Sequence, residues 1–225
     1  MPTSLSGPVA KPLSGGRPKF LVVLLHGVGA DGNDLISLAP YWAPLLPDAE
    51  FTAPNGPQPC DMAPYGRQWF SLQDRTPSVI FAGVSATAPV LDRFLDDALA
   101  ARGLDESRLV LVGFSQGTMM SLHVGPRRAR PLAGIIGFSG ALTGPDRLAG
   151  DIRSRPPVLL VHGDADPVVP FSMMTLAEQA LKANRVPVES LACPRLGHSI
   201  DEAGLKRGGA FLQRVLRNVS TEPPA

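Results

Sequence analysis

Runs of apolar residues recur along the chain and alternate with segments of helical periodicity. The first run, residues 20–25 (FLVVLL), is rich in branched side chains, which is typical of a strand buried on both faces of a parallel sheet. Further strands are predicted at residues 51–53, 109–112, 133–138, 158–161 and 188–191. Helices are predicted at residues 34–45, 90–102, 116–124, 171–183 and 200–216. This alternation predicts an α/β fold whose sheet is mostly parallel, with helices on both faces.

The ends of the chain differ from its body. The segment before the first apolar run is rich in proline and has no apolar stretch of the signal-peptide type. We therefore expect a flexible N-terminal arm at residues 1–17, a single domain at 18–218 and a flexible tail at 219–225. No uninterrupted apolar run approaches 18 residues, so we expect no stable membrane insertion and a cytoplasmic location.

Composition narrows the classes of function. Glycine and proline make up about a fifth of the 225 residues, above average usage but below the level of low-complexity chains. The formal net charge is +1 without a long basic run, which argues against a nucleic-acid partner. Cys60 and Cys193 fit neither a disulfide framework nor a paired metal motif. We expect two free thiols, no metal and no cofactor.

One segment, residues 53–73, interrupts the alternation of strands and helices. It has little periodicity and several prolines, and loops of this length inside compact domains are usually functional. Its large apolar side chains would be costly to leave in water. We therefore expect this loop to bound a binding site.

The sequence Gly113-Phe114-Ser115-Gln116-Gly117 matches the G-x-S-x-G pattern of a nucleophile elbow. It follows a predicted strand and precedes a predicted helix, as this turn requires. Side chains in place of the glycines would collide across the turn, and the helix N-terminus favours negative charge near the serine. A second Gly-Phe-Ser-Gly sequence contains Ser139, but no helical run follows it at once, so we interpret Ser139 as a core or supporting residue.

A nucleophilic serine needs a general base and an acid that orients the base. In α/β-hydrolases the chain order is serine, then Asp or Glu, then His. His198 lies in a glycine-containing loop before the last helix, whereas His162 ends a buried strand and is interpreted as structural. For the acid we favour Asp166, because the Pro-Val-Val-Pro stretch after it fixes its direction. We interpret Asp164 as a turn residue that bonds its own backbone.

Acyl transfer also needs two backbone N–H groups directed at the oxyanion of a tetrahedral intermediate. One is expected from Gln116, directly after the nucleophile. The other is expected from Val28, in the glycine-rich loop after the first buried strand. We interpret His26 as a hydrogen-bonding brace of that loop, and His123 as a packed or surface residue rather than a second base.

The same loop also matches the G-x-G-x-x-G pattern of dinucleotide-binding folds, through Gly27, Gly29 and Gly32. Against a dinucleotide, Asp31 and Asp34 crowd the helix N-terminus where a pyrophosphate would have to lie. A dinucleotide-dependent oxidoreductase is kept as one alternative function. A non-catalytic ligand-binding protein on the same fold is the other.

Five segments between residues 24 and 201 resemble, in this order, the phospholipase and carboxylesterase family that also contains the acyl-protein thioesterases. They are LLHGVGADGNDL, APNGPQPCDMAPYGRQWFSL, LVGFSQG, HGDADPVVP and LGHSID. The resemblance implies an α/β-hydrolase fold, a triad of Ser115, Asp166 and His198, and an oxyanion hole formed by the N–H groups of Val28 and Gln116. The proline-rich loop is more similar to bacterial carboxylesterases than to animal thioesterases. The resemblance is also compatible with a homodimer.

The segment between the strands at 133–138 and 158–161 is too short for a cap domain. We therefore expect an open, apolar site for a small-molecule ester with short to medium acyl or aryl groups, hydrolysed through an acyl-enzyme. Acyl-protein thioesterase or lysophospholipase activity is the alternative within the family. The side chains expected to bind substrate are Met62, Trp69, Phe70, Leu72, Leu142, Val168, Val169 and Leu196.

Overall fold

The computed structural model describes residues 5–219, with side chains described through residue 217. The first elements are β1 (Val9–Ala10), β2 (Phe20–Leu25), α1 (Gly32–Ile36), α2 (Ala39–Trp42), β3 (Ala49–Thr52), β4 (Gln58–Pro59), β5 (Arg67–Gln68) and α3 (Pro77–Arg102). They are followed by β6 (Leu109–Phe114), α4 (Gln116–Val124), β7 (Gly134–Phe138), α5 (Leu148–Asp151), β8 (Val158–Gly163), α6 (Ser172–Ala183), β9 (Val188–Cys193) and α7 (Glu202–Val219).

Seven of these strands form one sheet in the order β1-β3-β2-β6-β7-β8-β9. Every neighbouring pair is parallel except β1 with β3. The core lies on both faces of the sheet, because successive residues of a strand point to opposite sides. On β6, for example, Leu109 and Leu111 pack with α3, α4 and α6, whereas Val110 and Val112 pack with α2 and α7. The predicted α/β fold is confirmed.

The N-terminal arm predicted to be flexible is in part docked on the sheet. Val9 and Ala10 pair with Thr52 and Phe51 of β3, and Leu5 is buried. The prediction is therefore wrong for this part of the arm, because backbone pairing and apolar burial hold it in place. Residues 1–4 and 220–225 lie outside the described residues, and so does nearly all of the predicted tail at 219–225.

Prolines account for two differences between predicted and observed helices. α3 begins at Pro77 rather than at residue 90, and Pro89 lies inside it. A proline removes one N–H from a helix, but the buried residues Val84, Leu91 and Leu95 keep both halves on the core. The helix predicted at 34–45 is divided into α1, α2 and a 3₁₀ turn, since Pro40 lies in the first turn of α2.

The connection between β7 and β8 carries no cap domain. Residues 139–157 contain only a 3₁₀ turn and the four-residue α5 among the described elements. The carboxyl end of the sheet is therefore left open to small molecules. Of the described helices, α3 is long and apolar enough to cross a membrane by length and composition alone; its buried residues, among them Val84, Leu91 and Leu95, pack on the core.

Candidate active site

Ser115 lies in a strained turn between β6 and α4. Its φ is 53°, in the left-handed region that non-glycine residues rarely adopt. A Cβ on Gly117 would lie 1.8 Å from the carbonyl oxygen of Leu25, and a Cβ on Gly113 would lie 2.3 Å from the carbonyl carbon of Gly117. The Ser115 amide donates to the Phe138 carbonyl at 2.9 Å. The two glycines thus allow a turn that β7 holds in place.

Asp166 and His198 meet at the same edge of the sheet. Nδ1 of His198 lies 2.7 Å from Oδ2 of Asp166. The other carboxylate oxygen, Oδ1, accepts hydrogen bonds from the amides of Val168 and Val169 at 2.8 and 2.9 Å. Both amides belong to the Pro-Val-Val-Pro stretch after Asp166, which is bent rather than extended. The carboxylate therefore has a partner on each oxygen and cannot rotate freely.

Hydrogen bonding keeps Asp166 ionised despite its burial. Burial alone, which is the largest effect, would raise the pKa of this carboxyl. Hydrogen bonds from His198, Val169 and Val168 outweigh it and hold the pKa below its ordinary value. A carboxylate at this position fixes the proton of His198 on Nδ1, so Nε2 is the nitrogen that can accept a proton.

His198 is held beside the elbow. Its ring centroid lies 4.9 Å from that of Phe114, the residue before Ser115, and the side chain is partly exposed. The loop that carries it is tied to the loop of Asp166 by backbone bonds, including one from the Ala165 amide to the Leu196 carbonyl at 3.1 Å. The structure thus brings Ser115, Asp166 and His198, which are far apart in sequence, to one edge of the sheet.

Asp164 and His162 have contacts that the sequence does not reveal. Asp164 does not bond its own backbone as predicted; its Oδ1 accepts from the Arg195 amide at 2.6 Å and so joins the two loops. His162 is buried as predicted, but its Nε2 lies 2.9 Å from the Val169 carbonyl and 3.2 Å from Oδ2 of Asp166. Both residues therefore support the position of Asp166 and its loop.

The remaining histidines and the second serine are structural. His26 is fully buried, and its Nε2 accepts from the Gly56 amide at 2.8 Å while Nδ1 lies 2.7 Å from the Gly27 carbonyl, which confirms it as a loop brace. Burial lowers its pKa. His123 packs against Phe81 with ring centroids 5.6 Å apart. Ser139 is buried, and its hydroxyl donates to the Ser199 carbonyl at 3.4 Å, as expected of a supporting residue.

The loop after β2 places the Val28 amide near the elbow. Gly29 has a φ of 81°, which allows the chain to curl at this point. A Cβ on Gly27 would lie 3.4 Å from Cβ of Ser115, so the loop touches the nucleophile's turn. Among the described residues, the backbone amides of Val28 and Gln116 have no hydrogen-bond acceptor. Two unpaired donors thus lie near Ser115, one in the loop after β2 and one in the residue that follows the serine.

An apolar cavity of about 390 Å³ adjoins Ser115. Four of the predicted substrate-binding residues line it: Leu72, Leu142, Val168 and Val169. The other four do not. Trp69 and Phe70 are buried in the core, Met62 is 47% exposed away from the cavity, and Leu196 packs against the opposite face of the sheet. The proline-rich loop therefore contributes Leu72 to the cavity wall, Trp69 and Phe70 brace the fold, and the middle of the loop, with Met62 and Tyr65, is exposed rather than buried against a site.

The rest of the cavity wall was not predicted from the sequence. It includes Val28 and Met119 beside the nucleophile, Ile80 from the part of α3 that precedes Pro89, and Met173 from α6. Ile80 was not predicted as a wall residue because the first part of α3 was not predicted as a helix. Met119 could have been found from its position one helical turn after Ser115. Arg75 is the only charged side chain among the described residues that line the cavity.

The glycine-rich loop is not arranged for a dinucleotide. Asp31 caps α1, its Oδ1 accepting from the amides of Asn33 and Asp34 at 2.8 and 3.4 Å. The amides that would bind a pyrophosphate thus already bond a carboxylate. The described residues include no group of three or more His, Cys, Asp or Glu placed to hold a metal ion. Cys60 and Cys193 are both free thiols, as predicted.

Known proteins match the chain over most of its length. Esterase YpfH of Escherichia coli (strain K12) is 30% identical over 186 residues, which cover 83% of this chain and 78% of that protein. Acyl-protein thioesterase 1 of Neurospora crassa is 30% identical over 205 residues, covering 81% of each chain. The crystal structure of esterase PE8 superimposes with a TM-score of 0.92 at 43% identity and covers 95% of this chain and 100% of that one.

The match to a family profile agrees with these relatives. The sequence model of the Phospholipase/Carboxylesterase family matches residues 13–216, which include every residue of the site described above. The sheet order, the strained serine turn and the absence of a cap among the described residues are those of an α/β-hydrolase. The chain therefore belongs to the phospholipase/carboxylesterase family of the α/β-hydrolases and is a serine hydrolase.

Proposed function

We propose that the chain is a carboxylesterase that hydrolyses esters with short to medium apolar acyl or aryl groups. The observation that carries the proposal is the cavity next to Ser115. Its volume of about 390 Å³ is near the lower end for ligand sites, and its wall is apolar apart from Ser115, Arg75 and Thr143. Such a cavity favours a short hydrocarbon group over a charged metabolite.

The proposed reaction follows from the position of His198. Nε2 of His198 removes the proton from Oγ of Ser115, and Oγ attacks the ester carbonyl carbon. The carbon–oxygen bond to the alcohol then breaks, and the alcohol leaves with the proton held by His198. Water, deprotonated by the same nitrogen, attacks the acyl-enzyme. The bond between the acyl carbon and Oγ of Ser115 then breaks, Oγ takes the proton back from His198, and the carboxylic acid is released. Asp166 keeps its charge throughout and stabilises the imidazolium.

The two unpaired amides supply the oxyanion hole in this proposal. Negative charge develops on the carbonyl oxygen when Ser115 attacks. Donors that are already oriented stabilise this charge without reorganising, and loss of one such donor typically costs about 10²–10³ in kcat. The amides of Val28 and Gln116 fit this role because neither is engaged with another described residue.

Ser115→Ala tests the proposal directly. The variant should lose nearly all hydrolysis of 4-nitrophenyl butyrate, and a fluorophosphonate probe should label the wild type at Ser115 only. Ser139→Ala is the matched control, because Ser139 also follows a strand with a positive φ of 46° but is fully buried. It should still be labelled. Absence of labelling in a folded wild type would contradict the esterase proposal.

Acyl-protein thioesterase activity is the second candidate, because a relative of that name is 30% identical to the chain. An ester and a thioester with the same acyl group distinguish the two activities. We expect the ratio of kcat/KM to favour the oxygen ester, and a series of acyl lengths to reach its maximum at short to medium chains. A maximum at long acyl thioesters would support the second candidate instead.

A further inference from the structure

A single segment, residues 67–70, contacts both sides of the proposed oxyanion hole. One side is the loop at 27–30, which carries the Val28 amide, and the other is the start of α4, which carries the Gln116 amide. The segment lies in the proline-rich loop, whose apolar residues do not line the cavity except at Leu72. Its contacts therefore call for a role other than substrate binding.

Arg67 holds the loop of Val28 through its backbone. The Gly29 amide donates to the Arg67 carbonyl at 2.9 Å, and the Arg67 amide donates to the Ala30 carbonyl at 2.7 Å. A Cβ on Gly66 would lie 2.0 Å from the Gly29 carbonyl oxygen, so the two chains are in close contact. This pair of bonds acts like a short β-bridge directly beyond Val28.

The side chain of Gln116 holds the other end of the segment. Its Oε1 accepts from the Trp69 amide at 2.8 Å, and its Nε2 donates to the Phe70 carbonyl at 2.7 Å. The side chain is fully buried, so these bonds do not compete with water. Gln116, whose backbone amide is one of the two proposed oxyanion donors, is thus bonded through its side chain to the segment that holds the loop of Val28, the other donor.

The indole of Trp69 bonds the segment to the start of the Val28 loop. Its Nε1 donates to the His26 carbonyl at 3.0 Å, at the end of β2 where the Val28 loop begins. The Trp69 carbonyl accepts from the Thr87 hydroxyl at 2.9 Å, which anchors the segment to α3. The side chain has no exposed surface. The Trp69 ring is therefore bonded to His26, directly after β2, and the Trp69 backbone amide is bonded to the Gln116 side chain.

We propose that residues 67–70 set the separation of the Val28 and Gln116 amides, and that Trp69 is the positioning residue of this brace. The inference rests on the proposed esterase function. An oxyanion hole acts only if both donors point at the place where the charge develops, and a misplacement of about 1 Å can cost 10²-fold in rate. The brace joins the two donors by hydrogen bonds, of which those of Trp69 and of the Gln116 side chain are buried.

Trp69→Phe tests the inference, and Trp42→Phe is its matched control. Both indoles are buried, and both donate to a backbone carbonyl, Trp42 to that of Leu205 at 2.9 Å. Trp42 lies on the opposite face of the sheet, in the second core cluster. The two variants lose the same ring and the same kind of hydrogen bond, so both should lower Tm. Only Trp69→Phe changes the brace.

We expect Trp69→Phe to lower kcat for 4-nitrophenyl butyrate by about 10- to 100-fold with little change in KM, because the lost stabilisation acts in the transition state. Trp42→Phe should keep kcat within about 3-fold of the wild type. A trifluoromethyl ketone, which forms an oxyanion on reaction with serine, should bind Trp69→Phe more weakly by the same factor as the loss in kcat/KM.

Gln116→Met provides a second variant if Trp69→Phe folds poorly. It removes both side-chain bonds to the segment without changing the backbone amide, and it should show the same loss of kcat and of trifluoromethyl ketone affinity. Equal kcat losses in the Trp69 and Trp42 variants, or a rise in KM at unchanged kcat, would overturn the inference while leaving the esterase proposal intact. A folded wild type without ester hydrolysis would overturn both.

Discussion

Asp166 has more partners than any other side chain of the site. It accepts from His198 on one oxygen and from two backbone amides on the other, and Nε2 of His162 lies 3.2 Å away. A buried carboxylate with fewer donors would become neutral, because burial raises its pKa. The hydrogen bonds to Asp166 are therefore what allow it to keep the charge that the proposed mechanism needs.

Asp166→Asn should lower kcat for aryl esters by about 10²–10⁴ while the fold is kept, because an amide cannot stabilise the imidazolium and favours the wrong tautomer of His198. Steady-state kinetics on a variant with an unchanged circular dichroism spectrum would measure this. Asp164→Asn is the control, since Asp164 bonds the Arg195 amide and does not touch His198. A loss in the control as large as that in Asp166→Asn would contradict the assigned role.

The elements of the site differ in how strictly the sequence prescribes them. The elbow between β6 and α4 is prescribed closely, because its glycines are in contact with Leu25 and with each other. The cavity wall is prescribed loosely, since part of it comes from half-buried residues such as Ile80 of α3 and Met173 of α6. We therefore expect substitutions in the elbow to affect folding and substitutions in the wall to affect substrate choice.

Gly117→Ala should destabilise the fold by about 3 kcal/mol or more, because its Cβ would lie 1.8 Å from the Leu25 carbonyl oxygen. Gly150→Ala is the control. No atom lies within 4 Å of a Cβ at that position, and alanine favours the helix α5. Urea denaturation of both variants measures the difference, and equal midpoints would show that the elbow tolerates a side chain.

Met173→Trp should shorten the preferred acyl chain, because Met173 lines the cavity and a larger ring there reduces its volume. Each excluded methylene should cost about 10-fold or more in kcat/KM. Leu176→Trp, on the same helix but 49% exposed and outside the cavity, should leave the preference unchanged. A series of 4-nitrophenyl esters from acetate to octanoate provides the comparison, and parallel profiles for the two variants would place the acyl group elsewhere.

The stability of the whole protein should depend on pH because a histidine, His123, is buried. Burial, with a smaller contribution from Arg127, lowers the pKa of His123 to about 4. Its Nδ1 has no hydrogen-bond partner among the described residues. The folded state therefore holds His123 neutral, whereas the unfolded state binds a proton near pH 6.5. Between these two values the unfolded state binds more protons, so stability falls as the pH falls.

His123→Leu should reduce this pH dependence. From pH 6.5 to pH 4 the wild type should lose about 3 kcal/mol through His123, and the variant should not. His26, whose pKa is also lowered, remains in both proteins, so the variant keeps a smaller slope. Unfolding free energies from urea titrations at several pH values measure the two slopes, and identical slopes would contradict the prediction.

Most of the fold could be predicted from the sequence, because its strands are buried on both faces and so appear as continuous apolar runs. The errors have physical causes. α3 was predicted too short because Pro89 interrupts its pattern, and the docked arm at Val9 and Ala10 has too little apolar character to indicate pairing. Within the site, the predicted backbone partner of Asp164 was wrong, and the contact of His162 with Asp166 was not predicted, since such contacts depend on how the chain folds back at the edge of the sheet.

The buried parallel strands and the serine elbow can be predicted from the sequence alone, because each is encoded by residues that are neighbours along the chain, and the chain order of α/β-hydrolases indicates the proposed triad. Contacts between distant segments settle the order of the strands, the residues that line the cavity and the role of the proline-rich loop. Trp69 and Phe70, which the sequence suggested as substrate contacts, are buried braces, and Ile80 and Met173 form the wall instead. Apolar character alone cannot distinguish these roles, because burial in the core and contact with substrate both require it.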